Sequence, residues 1–278
     1  MRDAYFVVHE PPELGPKAGE TPLIVEVPHA GVLVPPPFMP ELLASARSIG
    51  RDADLYVDDL YEEAPLEGAS LLVARTSRYV VDLNRAEDDL DPDSAVTGHV
   101  PSSPRGVVWR LTTDGERALA APLSREALEL RLGEIYRPYH AALRALIERK
   151  RRTFGHAVIL AGHSMPSLAR TVHGDAGEAR ADVVPGTRGR TSAAARYIEA
   201  VDAHARKRGW SVAHDEPYKG GFTTQHYGRP RENVHVVQVE LARRLYMNET
   251  TLRRSKTFDD VRAWCRDLVR SLGQAALR

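Results

Sequence analysis

The chain has 278 residues, 42% hydrophobic and 27% charged, with Lys+Arg and Asp+Glu balanced at 38 each. That composition is ordinary for a globular protein, and its neutral balance gives no reason to expect nucleic acid or a membrane surface as a partner. The single cysteine, Cys265, excludes an intramolecular disulfide and a cysteine-built zinc site, so any metal must be held by His and carboxylates. The amino terminus has no basic segment followed by an apolar one, and no apolar run approaches the ~20 residues of a membrane span. The expectation is a cytoplasmic protein whose partner is a small-molecule substrate.

The first strong element is Leu23–Val27, an apolar run that ends abruptly in Pro28-His29-Ala30-Gly31 and reads as a core strand with an imidazole at its tip. Arg51-Asp-Ala-Asp54-Leu-Tyr-Val-Asp58 leads into a short helix. Ser70–Ala74 and Tyr79–Leu83 are short β-branched runs, predicted as strands, and the second continues into Asn84-Arg85. Ala86–Arg110 carries Pro92, Gly98, Pro101, Pro104 and Gly106 with little periodicity and is predicted as a long loop. Leu123–Arg152 opens at Ser124 and repeats Leu128, Leu132, Ile135, Tyr139, Leu143 and Leu146 at helical spacing.

Val158–Ala161 is a second core strand running into Gly162-His163-Ser164-Met165, the same shape as the first. Thr191–Arg208 is a predicted helix with a Thr/Ser cap and a stop at Gly209. Glu216-Pro-Tyr218-Lys219-Gly-Gly221, continuing through His226-Tyr-Gly228, is rich in Gly and hydroxyls and suits a mobile cover. Val234–Val239 is a strand with Glu240 at its end, and Phe258–Leu277 is a closing helix with Val261, Trp264, Leu268 and Leu272 on one stripe. Single strands alternating with helices, without repeats or a linker, predict one α/β domain over residues 1–278. Its core would be a central mixed, mostly parallel sheet sandwiched by helices.

Each polar residue here has an ordinary structural role when taken alone: a hydrogen-bonded His, a helix-capping Asp, a surface Arg. Taken together they form a set. Two histidines and a carboxylate around zinc leave a position for water, the arrangement of a catalytic site. Glu240 could accept the proton of that water, and Asn84-Arg85 could grip a substrate carboxylate. Ser164 lacks the Gly-x-Ser-x-Gly elbow of serine hydrolases.

Seven segments in order, Pro28–Gly31, 52–57, 77–85, 162–165, 218–221, 226–228 and 238–240, resemble the N-formylglutamate amidohydrolase family, over about residues 20 to 250. The resemblance implies a zinc-carboxypeptidase-like, phosphorylase/hydrolase-like fold and hydrolysis of N-formyl-L-glutamate to L-glutamate and formate in histidine degradation. It implies His29 and His163 as ligands of Zn²⁺ or another divalent transition metal, Asn84-Arg85 as a carboxylate clamp and Glu240 as general base.

Carboxypeptidases carry a Glu three residues after the first histidine, where this chain has Val32. Asp52 and Asp54 are then the candidate third ligands, and Asp54 is preferred because it directly precedes the segment that starts the short helix. Arg78 is the candidate cation for the oxyanion, with Tyr218 or Lys219 reaching the substrate. A zinc deacylase or carboxypeptidase for another N-acyl amino acid, and a non-catalytic carboxylate-binding protein, remain as alternatives.

Overall fold

The computed structural model describes residues 5–12, 19–90, 94–95, 105–169 and 177–278. In chain order the strands are β1 (Phe6–His9), β2 (Leu23–Val27), β3 (Ser70–Ala74), β4 (Ala157–Met165), β5 (Val183–Gly186), β6 (Val234–Ala242), β7 (Met247–Asn248) and β8 (Arg253–Arg254). The helices are α1 (Ala46–Asp52), α2 (Val57–Leu60), α3 (Arg125–Arg131), α4 (Arg137–Phe154), α5 (Ala195–Lys207), α6 (Phe222–Tyr227) and α7 (Phe258–Ala276).

The first six strands form one sheet in the order β1-β3-β2-β4-β6-β5. The inner strands β3, β2, β4 and β6 run parallel, and the edge strands β1 and β5 are antiparallel to their neighbours. β2, β3 and β4 are buried at every position, as strands covered on both faces must be, which is why they read as continuous apolar runs. Leu23, Val25 and Val27 face a core made with Val57, Tyr197, Val201, Val261 and Leu268, from α2, α5 and α7. Ile24, Ile159 and Val236 face the opposite core, built from Tyr139, Leu143 and Ile147 of α4 with Val80, Val81 and Leu83. The expected helix-sheet-helix sandwich is present. Among the described residues no helix is long and apolar enough to cross a membrane.

Two predicted elements differ in kind. Tyr79–Leu83 is not a strand but a buried turn segment: Val80, Val81 and Leu83 pack into the α4-side core, and Asp82 N bonds to Val107 O at 2.7 Å instead of joining a ladder. β-branched residues were serving burial there, not pleating. Residues 222–227 of the expected cover form α6, with Thr223 and Thr224 fully buried, so that part is packed rather than loose. The predicted helix 123–152 is α3 and α4 joined through a π-helical turn at Leu132–Tyr136, with the Ser124 side chain accepting from Ala127 N as its cap. α5 begins later than Thr191, because Ser192 Oγ donates to Thr187 O and Val236 O instead of capping. Residues 91–93 and 96–104 of the predicted loop Ala86–Arg110 lie outside the described residues.

His140 on α4 ties two site-bearing segments together. Its Nε2 bonds to Leu83 O at 3.1 Å and its Nδ1 to the Tyr227 hydroxyl of α6 at 3.0 Å. Burial lowers this imidazole's pKa to about 3. A folded pKa below the unfolded ~6.5 contributes stability that is complete above pH 6.5 and lost as pH falls toward 3. His140→Gln, which lacks that titration, should lie below wild type in stability at pH 8. The gap should narrow by about 2 kcal/mol at pH 5 in urea unfolding. Parallel pH profiles for the two proteins would contradict this.

Candidate active site

β2 turns toward β3 on one side and lies beside β4 on the other, so the crevice past their carboxyl ends is a topological switch point, the usual ligand position in an open α/β sheet. His29 stands just beyond β2. His163 lies inside β4 rather than at its tip, and Glu240 lies inside β6 at the register position beside it. Extension of both strands past the apolar runs is what brings these polar residues onto the sheet. Gly31 lets the chain turn against β3, since a Cβ there would come 2.8 Å from Ala74 O.

His29, Asp54 and His163 converge, each 2–3% exposed, with one ligand atom from each lying within 4.8 Å of the others. Asp54 Oδ2 is 3.0 Å from His163 Nδ1 and 3.7 Å from His29 Nδ1. The spacing is set by the backbone, because Asp54 N donates to His29 O at 2.9 Å. Arg243 grips the other carboxylate oxygen at 3.2 Å while donating to the carbonyls of Arg51 and Ala53 and to Ser164 Oγ. Asp52, the other candidate, points elsewhere: it accepts from the Tyr79 and Thr113 hydroxyls and from Thr113 N at 3.0 Å.

Asp82, fully buried, accepts from His29 Nε2 at 2.7 Å. That bond fixes the ring's orientation and aims Nδ1 at Asp54. Asp82 also accepts from Trp109 Nε1 at 3.0 Å and from Arg78 at 3.0 Å. The Arg78 guanidinium stacks on Trp109 at 4.4 Å and also donates to Asp52 O. Its first task in the folded chain is thus to balance Asp82, although it still lines the cavity.

Asn84 Oδ1 accepts from Thr223 N at 2.9 Å, and its Nδ2 lies 3.3 Å from His163 Nε2. Arg85, Tyr218, Lys219 and Glu240 line the same cavity of about 290 Å³, near the lower end for small-molecule sites. Every candidate named from the sequence borders this one space or its cluster. Asp82, Trp109, Gln238 and Arg243 are additions. Asp82 had a signal, one acid inside the apolar run Val80-Val81-Asp82-Leu83; Trp109 and Arg243 had none, being brought in by tertiary folding.

Burial raises the Asp54 pKa, but hydrogen bonds from His163 and His29 outweigh it and hold the group well below the usual carboxylate range. Asp82 is likewise held low against burial by His29 and Arg78. Glu240 moves the other way, pushed up by burial and by Asp54 against the pull of His163. Its Oε1 accepts from Gln238 Nε2 at 2.9 Å, and Gln238 in turn accepts from Gly221 N at 2.9 Å. Two carboxylates with opposite shifts, side by side, suit one ion-holding and one proton-accepting task.

Fold and site together define an α/β protein with a buried two-histidine, one-carboxylate cluster at its switch point. A family model described as N-formylglutamate amidohydrolase matches residues 21–247. The chain is 35% identical over 263 residues to the N-formylglutamate deformylase of Pseudomonas aeruginosa, covering 92% of this chain and 94% of that one. It is 34% identical over 236 residues to that of Pseudomonas putida, covering 84% of each. The crystal structure of N-formylglutamate amidohydrolase from Ralstonia eutropha JMP134 superimposes with a TM-score of 0.89 at 29% identity, covering 98% of both chains. The chain belongs to the N-formylglutamate amidohydrolase family and is an enzyme of that amidohydrolase class, which sets aside the non-catalytic alternative.

Gly221 packs directly on Asn84, where a Cβ would come 2.6 Å from Cγ of the amide. Gly221→Ala should displace that amide and lower kcat/KM by roughly 10–100-fold with α-helix content unchanged by circular dichroism. Unaltered kinetics would show that the position of the Asn84 amide is not needed.

Proposed function

We propose that this chain hydrolyses N-formyl-L-glutamate to L-glutamate and formate, with His29, Asp54 and His163 holding a divalent metal ion such as Zn²⁺. The observation that carries the reading is the convergence of both Nδ1 atoms on one Asp54 oxygen. The donor set fits: two imidazole nitrogens and a carboxylate, without thiolate, suit Zn²⁺ or Co²⁺, Mn²⁺ and Fe²⁺ equally. The Asp82–His29 bond is the kind of support that a metal-binding histidine needs behind it. When bound, the ion would activate a water and polarise the formyl carbonyl.

The remaining work falls to this chain's side chains. Glu240 takes a proton from the attacking water as the C–O bond forms, and then delivers it to the departing amine nitrogen as the C–N bond breaks. Asp82 and Asp52 engage three of the five Arg78 N–H groups and Nη2 also lies 3.2 Å from His29 Nε2, so we assign the remaining Nη1 N–H to the developing oxyanion. Asn84 and Arg85 hold a substrate carboxylate beside His163, and Tyr218 and Lys219, which line the same cavity, reach the substrate. The same reading makes the chain a single cytoplasmic catalytic domain serving histidine degradation.

The functional test is steady-state kinetics on N-formyl-L-glutamate, N-acetyl-L-glutamate and N-acetyl-L-aspartate. The formyl substrate should be preferred, activity should vanish after chelation, and about one equivalent of divalent ion should restore it. Equal rates on the acetyl compounds would contradict the substrate assignment. Glu240→Gln should lower kcat by roughly 10²–10⁴-fold; full activity would remove the proposed base. In calorimetric Zn²⁺ titrations, Asp54→Ala should lose tight binding and Asp82→Asn should weaken it ~10–100-fold. Asp52→Asn should bind as wild type does, and a reversed order for the two aspartates would overturn the ligand assignment.

A further inference from the structure

Six cations line the cavity: Arg51, Arg78, Arg85, Arg105, Lys219 and Arg243. Four are engaged by the protein. Arg51 pairs with Asp114 at 2.5 Å, Arg78 with Asp82 and Arg243 with Asp54. Arg105 donates to Thr112 O at 3.2 Å and lies over Trp109. Among the described residues, no hydrogen bond or ion pair engages the Arg85 guanidinium or the Lys219 ammonium. Two cations without a side-chain hydrogen bond or ion pair among the described residues therefore face one small cavity, Arg85 also adding to the positive field that holds Asp82 ionised.

They sit at different depths. Arg85 follows Asn84, which is 7% exposed and reaches His163, whereas Lys219 is exposed. The Lys219 backbone is nonetheless anchored. Its carbonyl accepts from Arg188 N at 2.9 Å, and that of Gly220 accepts from Arg188 Nη1 at 3.0 Å. Gly186 packs beneath, where a Cβ would come 2.8 Å from both Tyr218 O and Gly220 N. The result is a flexible, compact charge on a fixed stem, suited to a ligand anion whose orientation varies.

We propose that Lys219 is the specificity residue for the second, side-chain carboxylate of a dicarboxylic N-acyl amino acid, with Arg85 and Asn84 taking the α-carboxylate. This rests on the N-formylglutamate reading above and assigns the half of the substrate that reading leaves open. The assignment of carboxylates follows from covalent distance. The α-carboxylate is attached to the carbon bearing the scissile nitrogen, so it must bind near the His29–Asp54–His163 cluster. The side-chain carboxylate lies two methylenes further away, toward the mouth. A charge-assisted bond at that outer position discriminates an acid from its neutral amide.

The experiment measures kcat and KM of metal-loaded wild type, Lys219→Met and Lys219→Arg on N-formyl-L-glutamate and N-formyl-L-glutamine, which differ only in that side-chain charge. Wild type should prefer the glutamate compound. Lys219→Met should raise its KM about tenfold with kcat changed less than ~3-fold, and the glutamate-over-glutamine preference should fall by about the same tenfold factor. Lys219→Arg should recover most of the preference. If Lys219→Met keeps the wild-type ratio, or loses both substrates equally, Lys219 is not the specificity residue. If wild type itself shows no preference for N-formyl-L-glutamate, the substrate reading falls and this assignment with it.

Discussion

Two imidazoles facing a single buried carboxylate oxygen form the constraint around which the rest of the site is arranged. An ionised Asp54 at 3% exposure is costly to bury, and it stays ionised because His163, His29 and Arg243 surround it. Asp54 and those partners come from four separate places in the chain. The sheet must therefore pair β2 with β4, and β4 with β6, in one register before the carboxylate has its neighbours. The Asp54 N to His29 O bond fixes the separation by main chain rather than by flexible side chains. Buried charge of this kind ties a local electrostatic arrangement to the global topology.

Behind the cluster, a second tier of buried groups orients the first. Asp82 sets the His29 ring, Arg78 and Trp109 hold Asp82, and Gln238 links Glu240 to the Gly221 turn. Thr223 N holds the Asn84 amide, and Thr223 Oγ1 donates to Glu26, which also accepts from Tyr139 of α4. α6 therefore braces the Asn84 amide from behind the pocket, and its docking reaches through the core to α4. Such pre-organisation places the charges before a substrate arrives.

Much of this was legible in the residues, and the failures have physical causes. β2 and β3 match their predicted bounds because buried parallel strands are short apolar runs with sharp ends. β4 and β6 run longer than predicted because His163, Ser164 and Glu240 interrupt apolarity without interrupting the ladder. Tyr79–Leu83 has a strand's composition but is buried as a turn. α6, with Thr223, Thr224 and flanking glycines, shows too little periodicity in six residues to be read as a helix. The preference for Asp54 over Asp52 rested in the sequence on chain position alone, since both are buried acids two residues apart, and the fold shows that Asp54 faces the histidines.

The proposed divalent ion would be held by two imidazole nitrogens and one carboxylate. X-ray absorption spectroscopy of the zinc-loaded protein tests it most directly. The expected spectrum has nitrogen and oxygen neighbours only, at about 2.0–2.2 Å, with more distant scattering from two imidazole rings that drops to one ring in His163→Ala. A sulfur neighbour, or an unchanged two-ring signal in that variant, would contradict it.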